Sequence, residues 1–298
     1  MTIQLHGLVA APHSPFHPDG SLAAEIVAEQ AAHLAGRGVR SVFIAGTTGE
    51  AASLTRDERV ELFEAWASAR EAHGMVVVAH VGSNCLEDAK YLMAAASGLG
   101  LDAAAMLSPS YFKPESVELL IQCCAAVAGE AASLPFYYYD IPTLTGVRFS
   151  MVEFLRGAAG RVGNLVGIKY TNDDLEGYGR CLMEGGFDLP WGIDERLLEA
   201  LAAGARGAVG SSYNFAAPIY LGLIAAYEAG DIELARDYQA RAVRVIEAVA
   251  ATGYLGTAKV VMGWQGVAVG PARLPLGNPV ERDLGVLRGV LEEEGLLP

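Results

Sequence analysis

Lysine is scarce in this chain. Only Lys90, Lys113, Lys169 and Lys259 occur, and the remaining basic side chains are arginines. Arginine keeps its proton and cannot attack a carbonyl, so an amine nucleophile has to be sought among those four. Histidine stops early: His6, His13, His17, His33, His73 and His80 all fall within the first 80 residues. None stands in an HxH or HExxH pattern, which argues against a zinc aldolase, and the lack of a later histidine weakens any Ser-His-Asp reading. Cysteine is confined to Cys85, Cys123, Cys124 and Cys181, with no CxxC. Adjacent Cys123 and Cys124 rarely bond to each other, and the mostly apolar flanks predict reduced core thiols in a cytoplasmic protein. No apolar run reaches membrane-spanning length, and no basic stretch followed by an apolar one opens the chain, so neither a span nor a signal peptide is expected. The GxxxxGK[ST] phosphate loop is missing. Thirty-five acidic against 21 basic residues leave a net charge of −14. That balance argues against nucleic acid and anionic membrane as partners. A small anionic substrate stays compatible, because a pocket's local field can oppose the global one.

What is present is a large apolar content, 52% of 298 residues, enough for one sizeable barrel or two ordinary domains. Short apolar runs alternate with longer amphipathic stretches. Strands are predicted at Gly7–Pro12, Ser41–Ala45, Met75–Val81, Asp102–Leu107, Leu134–Asp140, Leu165–Lys169, Leu189–Gly192 and Gly207–Gly210. Helices are predicted between them, among them Ser21–Gly36, Thr55–His73, Leu86–Gly98, Glu115–Ala131, Ser150–Ala159, Asp173–Glu184, Glu195–Ala203 and Pro218–Ala229. Thr55 followed by Asp57 and Glu58 reads as a cap with an acidic first turn. Eight β–α units in this length predict an α/β chain folded as a (β/α)8 TIM barrel, with a doubly wound open sheet as the alternative. The barrel is expected over residues 1–230. Residues 231–298 hold only helical candidates and a Pro/Gly break, and are expected to pack on the barrel as a C-terminal helical extension of one structural unit.

Barrel enzymes place their chemistry at the C-terminal ends of the strands. That rule brings to one mouth Gly46-Thr47-Thr48-Gly49-Glu50, Ser108-Pro109-Ser110-Tyr111, Tyr139-Asp140-Ile141-Pro142, Lys169 with Thr171, Gly192-Ile193-Asp194-Glu195 and Gly210-Ser211-Ser212-Tyr213-Asn214. Lys169 ends an apolar strand, where desolvation lowers the pKa of an amine and frees it to form an imine with a ketone. The imine is an electron sink for breaking or making the adjacent C–C bond, and a phenol such as Tyr139 on the next strand suits the proton transfers. The plain alternatives are a lysine snorkelling to water and a tyrosine that merely packs in an aromatic strand. The Gly46–Glu50 segment offers hydroxyls and backbone N–H groups to a carboxylate, or is an ordinary loop with a cap. Asp194 and Glu195 suit a polyol, although Glu195 also opens a helix where an acid is favoured. His80 is the one histidine expected at the mouth, more as a satisfied core or rim residue than as a ligand.

Taken in order, Gly46–Glu50, Tyr139-Asp140-Ile141-Pro142, Gly167-Ile168-Lys169 and Gly207-Ala208-Val209-Gly210-Ser211 resemble the pyruvate-dependent class I aldolases of the dihydrodipicolinate synthase / N-acetylneuraminate lyase family. The resemblance runs from about Gly7 to the C-terminal helices. It implies a barrel, a homotetramer, and a covalent lysine imine with pyruvate in place of any cofactor or metal. By that resemblance Lys169 is the Schiff-base lysine and Tyr139 the proton-transfer phenol. Thr47 and Thr48 hold the pyruvate carboxylate, with Thr47 also in the relay, and Tyr111 reaches a neighbouring subunit's site. The synthase branch carries an arginine two residues after the strand-five proline; Leu144 stands there, and an apolar side chain cannot clamp a carboxylate. The lyase branch therefore fits better, and it implies that Thr171, Gly192, Asp194, Glu195 and Ser211 contact the hydroxylated tail and carboxylate of a 2-keto-3-deoxy sugar acid, N-acetylneuraminate first among them. Asp140 and Ser110 depart from the lyase pattern, are expected near the mouth, and leave another keto-deoxy acid open. A non-catalytic sugar-acid binder is the alternative from another class.

Overall fold

The segment AAAML, and VVVAH up to its closing His80, are apolar, as strands covered on both faces must be. A computed structural model of the chain, which describes residues 3–280, 282 and 284–297, folds them into a parallel sheet. Residues 1, 2, 281, 283 and 298 of the two expected ranges lie outside the described residues. The strands are β1 (Gly7–Ala10), β2 (Ser41–Ile44), β3 (Val76–His80), β4 (Ala103–Leu107), β5 (Phe136–Asp140), β6 (Leu165–Tyr170) and β7 (Gly207–Gly210). Their order is β6-β5-β4-β3-β2-β1-β7.

The ring closes between β6 and β7 through the segment expected to be a strand at Leu189–Gly192. There the structure differs from expectation: isolated parallel bridges join Gly167 to Asp188, Tyr170 to Trp191 and Trp191 to Ala208, without a continuous ladder. Pro190 has no N–H to give, so it can only accept, as it does from Tyr170 N at 2.9 Å. Trp191 N donates to Gly207 O and Val209 N donates to Trp191 O, so the barrel is closed by hydrogen bonds on both sides of this segment. The approach is close: a Cβ on Gly167 would lie 1.7 Å from the Asp188 carbonyl oxygen.

The helices are α1 (Val27–Gly36), α2 (Arg56–His73), α3 (Leu86–Gly98), α4 (Val117–Ala128), α5 (Pro142–Thr145), α6 (Met151–Ala158), α7 (Leu175–Glu184), α8 (Leu197–Ala203), α9 (Tyr213–Glu228), α10 (Ile232–Ala250), α11 (Tyr254–Trp264) and α12 (Gly285–Glu293). Thr55 and Glu58 form a reciprocal capping box on α2. Two helical features were not expected. The single turn α5 starts on Pro142, which is preset for a first helical position, and stops on Gly146 at φ 66°. Helix α9 begins five residues before Pro218, with Ala216 out of helical geometry (φ −118°, ψ 17°), so the proline follows an irregular first turn. Helix α10 packs on α9, α8 and α12. Among the described residues no single helix is long and apolar enough to cross a membrane.

Two apolar layers result. Val9, Phe43, Val78, Ala105, Tyr139 and Val209 fill the barrel interior, while Trp66, Tyr138, Phe154 and Tyr178 pack between strands and helices. Alternation along β5 thus turns Tyr137 and Tyr139 inward and Phe136 and Tyr138 outward. On β6 the register slips: Phe136 pairs with Leu165 but Tyr137 pairs with Gly167, leaving Val166 as an extra residue. This bulge places Lys169 directly beside Tyr139. The cysteines are free, as expected, but only Cys124 and Cys181 are buried; Cys85 is exposed ahead of α3, so it is not a core thiol.

Candidate active site

The amine of Lys169 ends up inside the barrel because β6 is apolar and its bulge sets the residue's face. Lys169 is 5% exposed. Its Nζ lies 3.9 Å from the centre of the Tyr139 ring and 4.2 Å from that of Phe43. Among the described residues no carboxylate stands within ion-pair distance of it. Burial lowers its pKa from 10.5 to about 7, with the charge of Asp194 opposing part of the shift. Near neutral pH the side chain is therefore an amine a large part of the time.

Tyr139 is also buried, packed edge-on against Phe43 and His80 with ring centres 5.4 and 5.9 Å away. Its hydroxyl lies 3.3 Å from Thr47 Oγ1. Burial pushes the phenol up to about 12, opposed by the hydroxyls of Thr47 and Thr171. The buried Thr171 Oγ1 makes no hydrogen bond of good geometry among the described residues. A protonated phenol, a neutral amine and two hydroxyls are thus assembled within one water-poor space. Phe43 was not anticipated as part of this wall, although inward alternation along β2 identifies it.

His80 shares the wall without being a ligand. Its Nδ1 donates to Ala45 O at 3.0 Å, its Nε2 accepts from Leu107 N at 3.4 Å, and burial drives its pKa well below the ordinary value. It is the satisfied core residue that the sequence favoured.

The Gly46–Glu50 loop is bracketed by two non-glycine residues in the left-handed region, Ala45 (φ 50°) and Glu50 (φ 53°). Glu50 N donates to Thr47 O and Ala51 N to Gly46 O. Among the described residues the N–H groups of Thr47, Thr48 and Gly49 donate to no backbone carbonyl. Successive free N–H groups in a tight turn form a concavity suited to an anion. A cavity of about 620 Å³ reaches this loop at Thr47 and runs past Arg59, Asn84 and Ser110 to Leu144 and Leu276.

On the opposite side of the mouth, Asp194 is 6% exposed and its Oδ2 accepts from Ser212 N (2.9 Å) and Ser212 Oγ (2.5 Å). Burial pushes this carboxyl up to about 6, partly offset by the Ser212 hydrogen bonds. Gly192 and Gly210 make room there: a Cβ would come within 1.9 Å of Thr171 Oγ1 and 2.3 Å of Asp194 Oδ1, respectively. Ser211 Oγ lies 2.8 Å from the hydroxyl of Tyr254, a tyrosine on α11 that carries no local sequence signal.

Three residues stand apart from this buried cluster. Tyr111 does not join this cluster; it is 79% exposed and stacks edge-on with Phe112, itself 86% exposed. Glu195 is exposed at the rim, unlike its buried neighbour Asp194. Asp140 follows Tyr138 in alternation and faces the helices, not the mouth: its Oδ2 accepts from Asn172 Nδ2 at 3.1 Å, and burial pushes it up to about 6. Ser110 does line the cavity. Among the described residues no cluster of side chains has the composition to hold a metal ion.

The sequence pattern of the Dihydrodipicolinate synthetase family matches residues 4–292. The N-acetylneuraminate lyase of Xenopus tropicalis is 38% identical over 286 residues, covering 94% of this chain and 93% of that one. A solved Proteus mirabilis N-acetylneuraminate lyase superposes with a TM-score of 0.95 at 33% identity, covering 99% of this chain and 100% of that one. A dihydrodipicolinate synthase from Cyanidioschyzon merolae, solved with lysine bound, gives 0.91 at 31% identity, with 98% and 99% covered.

Proposed function

The chain belongs to the dihydrodipicolinate synthetase family, and from that premise we propose that it is a carbon–carbon lyase that cleaves N-acetylneuraminate to pyruvate and N-acetylmannosamine. The observation that carries this reading is the buried amine of Lys169, with no carboxylate at ion-pair distance among the described residues, set against Tyr139, whose hydroxyl meets Thr47. The neutral Lys169 Nζ adds to C2 of the open-chain keto acid. Tyr139 delivers a proton to the carbinolamine oxygen, water leaves, and a protonated imine forms. The C3–C4 bond then breaks: its electron pair moves into the imine to give an enamine, while the C4 hydroxyl loses its proton toward the Tyr139–Thr47 pair. Protonation at C3 and hydrolysis release pyruvate and restore the amine. The N–H groups of Thr47, Thr48 and Gly49 suit the 2-oxo acid's carboxylate. Asp194, Thr171, Ser211 and the rim residue Glu195 suit the hydroxylated tail, and Gly192 keeps that side open. The reading needs no cofactor, and it places the enzyme in the cytoplasm as a homotetramer in which Tyr111 serves a neighbouring site.

The lyase is preferred to the synthase because Leu144, on α5 and 60% exposed beside the cavity, offers no charge to a second carboxylate. Borohydride reduction in the presence of pyruvate should attach a three-carbon adduct to Lys169, and Lys169→Ala should lose both adduct and turnover. Tyr139→Phe should slow turnover by about 10²–10⁴-fold, the usual contribution of a proton-transfer group, with the fold retained. Among N-acetylneuraminate, other keto-deoxy acids and pyruvate with aspartate semialdehyde, the first should be the best substrate. Near-full activity in Lys169→Ala would overturn the mechanism, and preference for aspartate semialdehyde would transfer the chain to the synthase.

A further inference from the structure

Glu50 and Lys259 form an ion pair that no step of this chemistry uses. Both side chains are fully enclosed, with Glu50 Oε1 2.5 Å from Lys259 Nζ, close in distance but off the ideal hydrogen-bond angle. Glu50 Oε2 accepts from Arg273 N at 2.9 Å. Lys259 Nζ also donates to Pro271 O at 2.9 Å and lies 4.2 Å from the Phe16 ring centre. Its charge therefore has three fixed neighbours and no exposure to solvent. Next to it His13 is buried, and desolvation together with Lys259 lowers its pKa to about 3, so it adds no competing charge near neutral pH.

These contacts converge on the end of the Gly46–Glu50 loop. Glu50 is left-handed, a conformation that costs a non-glycine residue energy unless its surroundings hold it. The preceding residue is held as well: Ser14 Oγ donates to Gly49 O at 2.6 Å. The Arg273 guanidinium pairs with Glu58 and donates to Ser53 O at 2.8 Å, tying the same C-terminal segment to the loop's exit. A buried ion pair gives little net stability, because desolvation offsets its attraction, but it tolerates few geometries. Held from two directions, the Glu50 carboxylate has one position, and the three free N–H groups just before it take theirs from that position.

We propose that Glu50 and Lys259 are positioning residues for the substrate's carboxylate: the helical C-terminal segment, through this pair, fixes the shape of the Thr47–Gly49 concavity and so sets affinity for a 2-oxo acid's negative charge without touching the amine of Lys169. The proposal rests on the imine reading of the preceding subsection.

The test is borohydride trapping on the full chain with two probes, pyruvate and its uncharged isostere pyruvamide. Removing one charge alone strands the other in the interior and risks unfolding. The variant of choice is therefore the charge-free pair Glu50→Gln with Lys259→Met. Half-saturating pyruvate should rise about tenfold, a factor equal to one lost charge-assisted contact. Half-saturating pyruvamide and the extent of labelling at saturation should stay within about twofold. If that pair does not fold, Lys259→Arg keeps the charge and moves it, and the pyruvate value alone should rise about threefold. Unchanged values for both probes, or an equal rise for both, would overturn the proposal. A wild-type chain that traps no pyruvate would instead overturn the enzymatic reading itself.

Discussion

A lysine whose pKa falls to about 7 inside a barrel leaves a signature in stability as well as in reactivity. The folded pKa of Lys169, about 7, lies below the ordinary 10.5. Between those values the unfolded chain binds the proton that the folded chain has released, so folding stability rises with pH across that window. Below it both states carry the charge, and the burial cost is felt in full. Lys169→Met should therefore raise the melting temperature most below pH 7, less as pH climbs, and hardly at all near 10.5, while abolishing the adduct. An equal shift at pH 6 and pH 10 would contradict the depressed pKa. Asp140 works the other way, since burial raises its carboxyl from 3.8 to about 6. The folded state then binds the proton first, and stability falls as pH rises through that window. Asp140→Asn should be more stable than the parent at pH 7, with the margin shrinking on acidification and gone below about 3.8. Melting curves at four pH values decide both.

At the scale of elements, the βα loops do what single residues cannot: they fix distances between strands. Gly192 is the clearest case, because the Cβ of an alanine there would lie 1.9 Å from Thr171 Oγ1. The displaced threonine borders Tyr139, so Gly192→Ala should raise KM for the sugar acid and lower kcat, leaving half-saturation by pyruvate in trapping less affected. Equal effects on all three would mean general damage to the barrel. The Thr55 cap with its acidic first turn, the start of a helix at Ser150 and the β–α alternation were legible in sequence because each is local: a hydroxyl before a periodic run, an apolar segment after a polar turn. The bridged segment at 188–191 was only half legible, since hydropathy marks Leu189–Gly192 as strand while Pro190 prevents a full ladder. The single turn α5 is too short for any periodicity. The orientation of Asp140 follows from alternation along β5 once Tyr139 is placed inward, whereas the exposure of Tyr111 was illegible because it depends on the loop after β4. Glu50 meeting Lys259 joins the first quarter of the chain to the last helices, a contact with no local signal at all.

At the scale of the molecule, the exposed pair Tyr111–Phe112 stands out on a chain whose other large aromatics are mostly buried. In the tetramer proposed above this pair lies between subunits. Sedimentation should then report four copies of the wild-type chain. Phe112→Glu, which puts a charge into that contact without altering the Lys169 cluster, should release smaller species and reduce turnover in proportion. A monomeric and fully active wild type would remove both the tetramer and the role given to Tyr111.

Counting outward from the one place where β5 and β6 fall out of step, a consequence emerges. Had Val166 found a partner, the ladder beginning at Phe136 and Leu165 would have run on evenly and set Lys169 opposite Asp140 instead of Tyr139. Base and acid would then have met on the helix side and neutralised each other, and the barrel would have enclosed an isoleucine in the amine's place. One surplus residue divides an inert salt from a nucleophile.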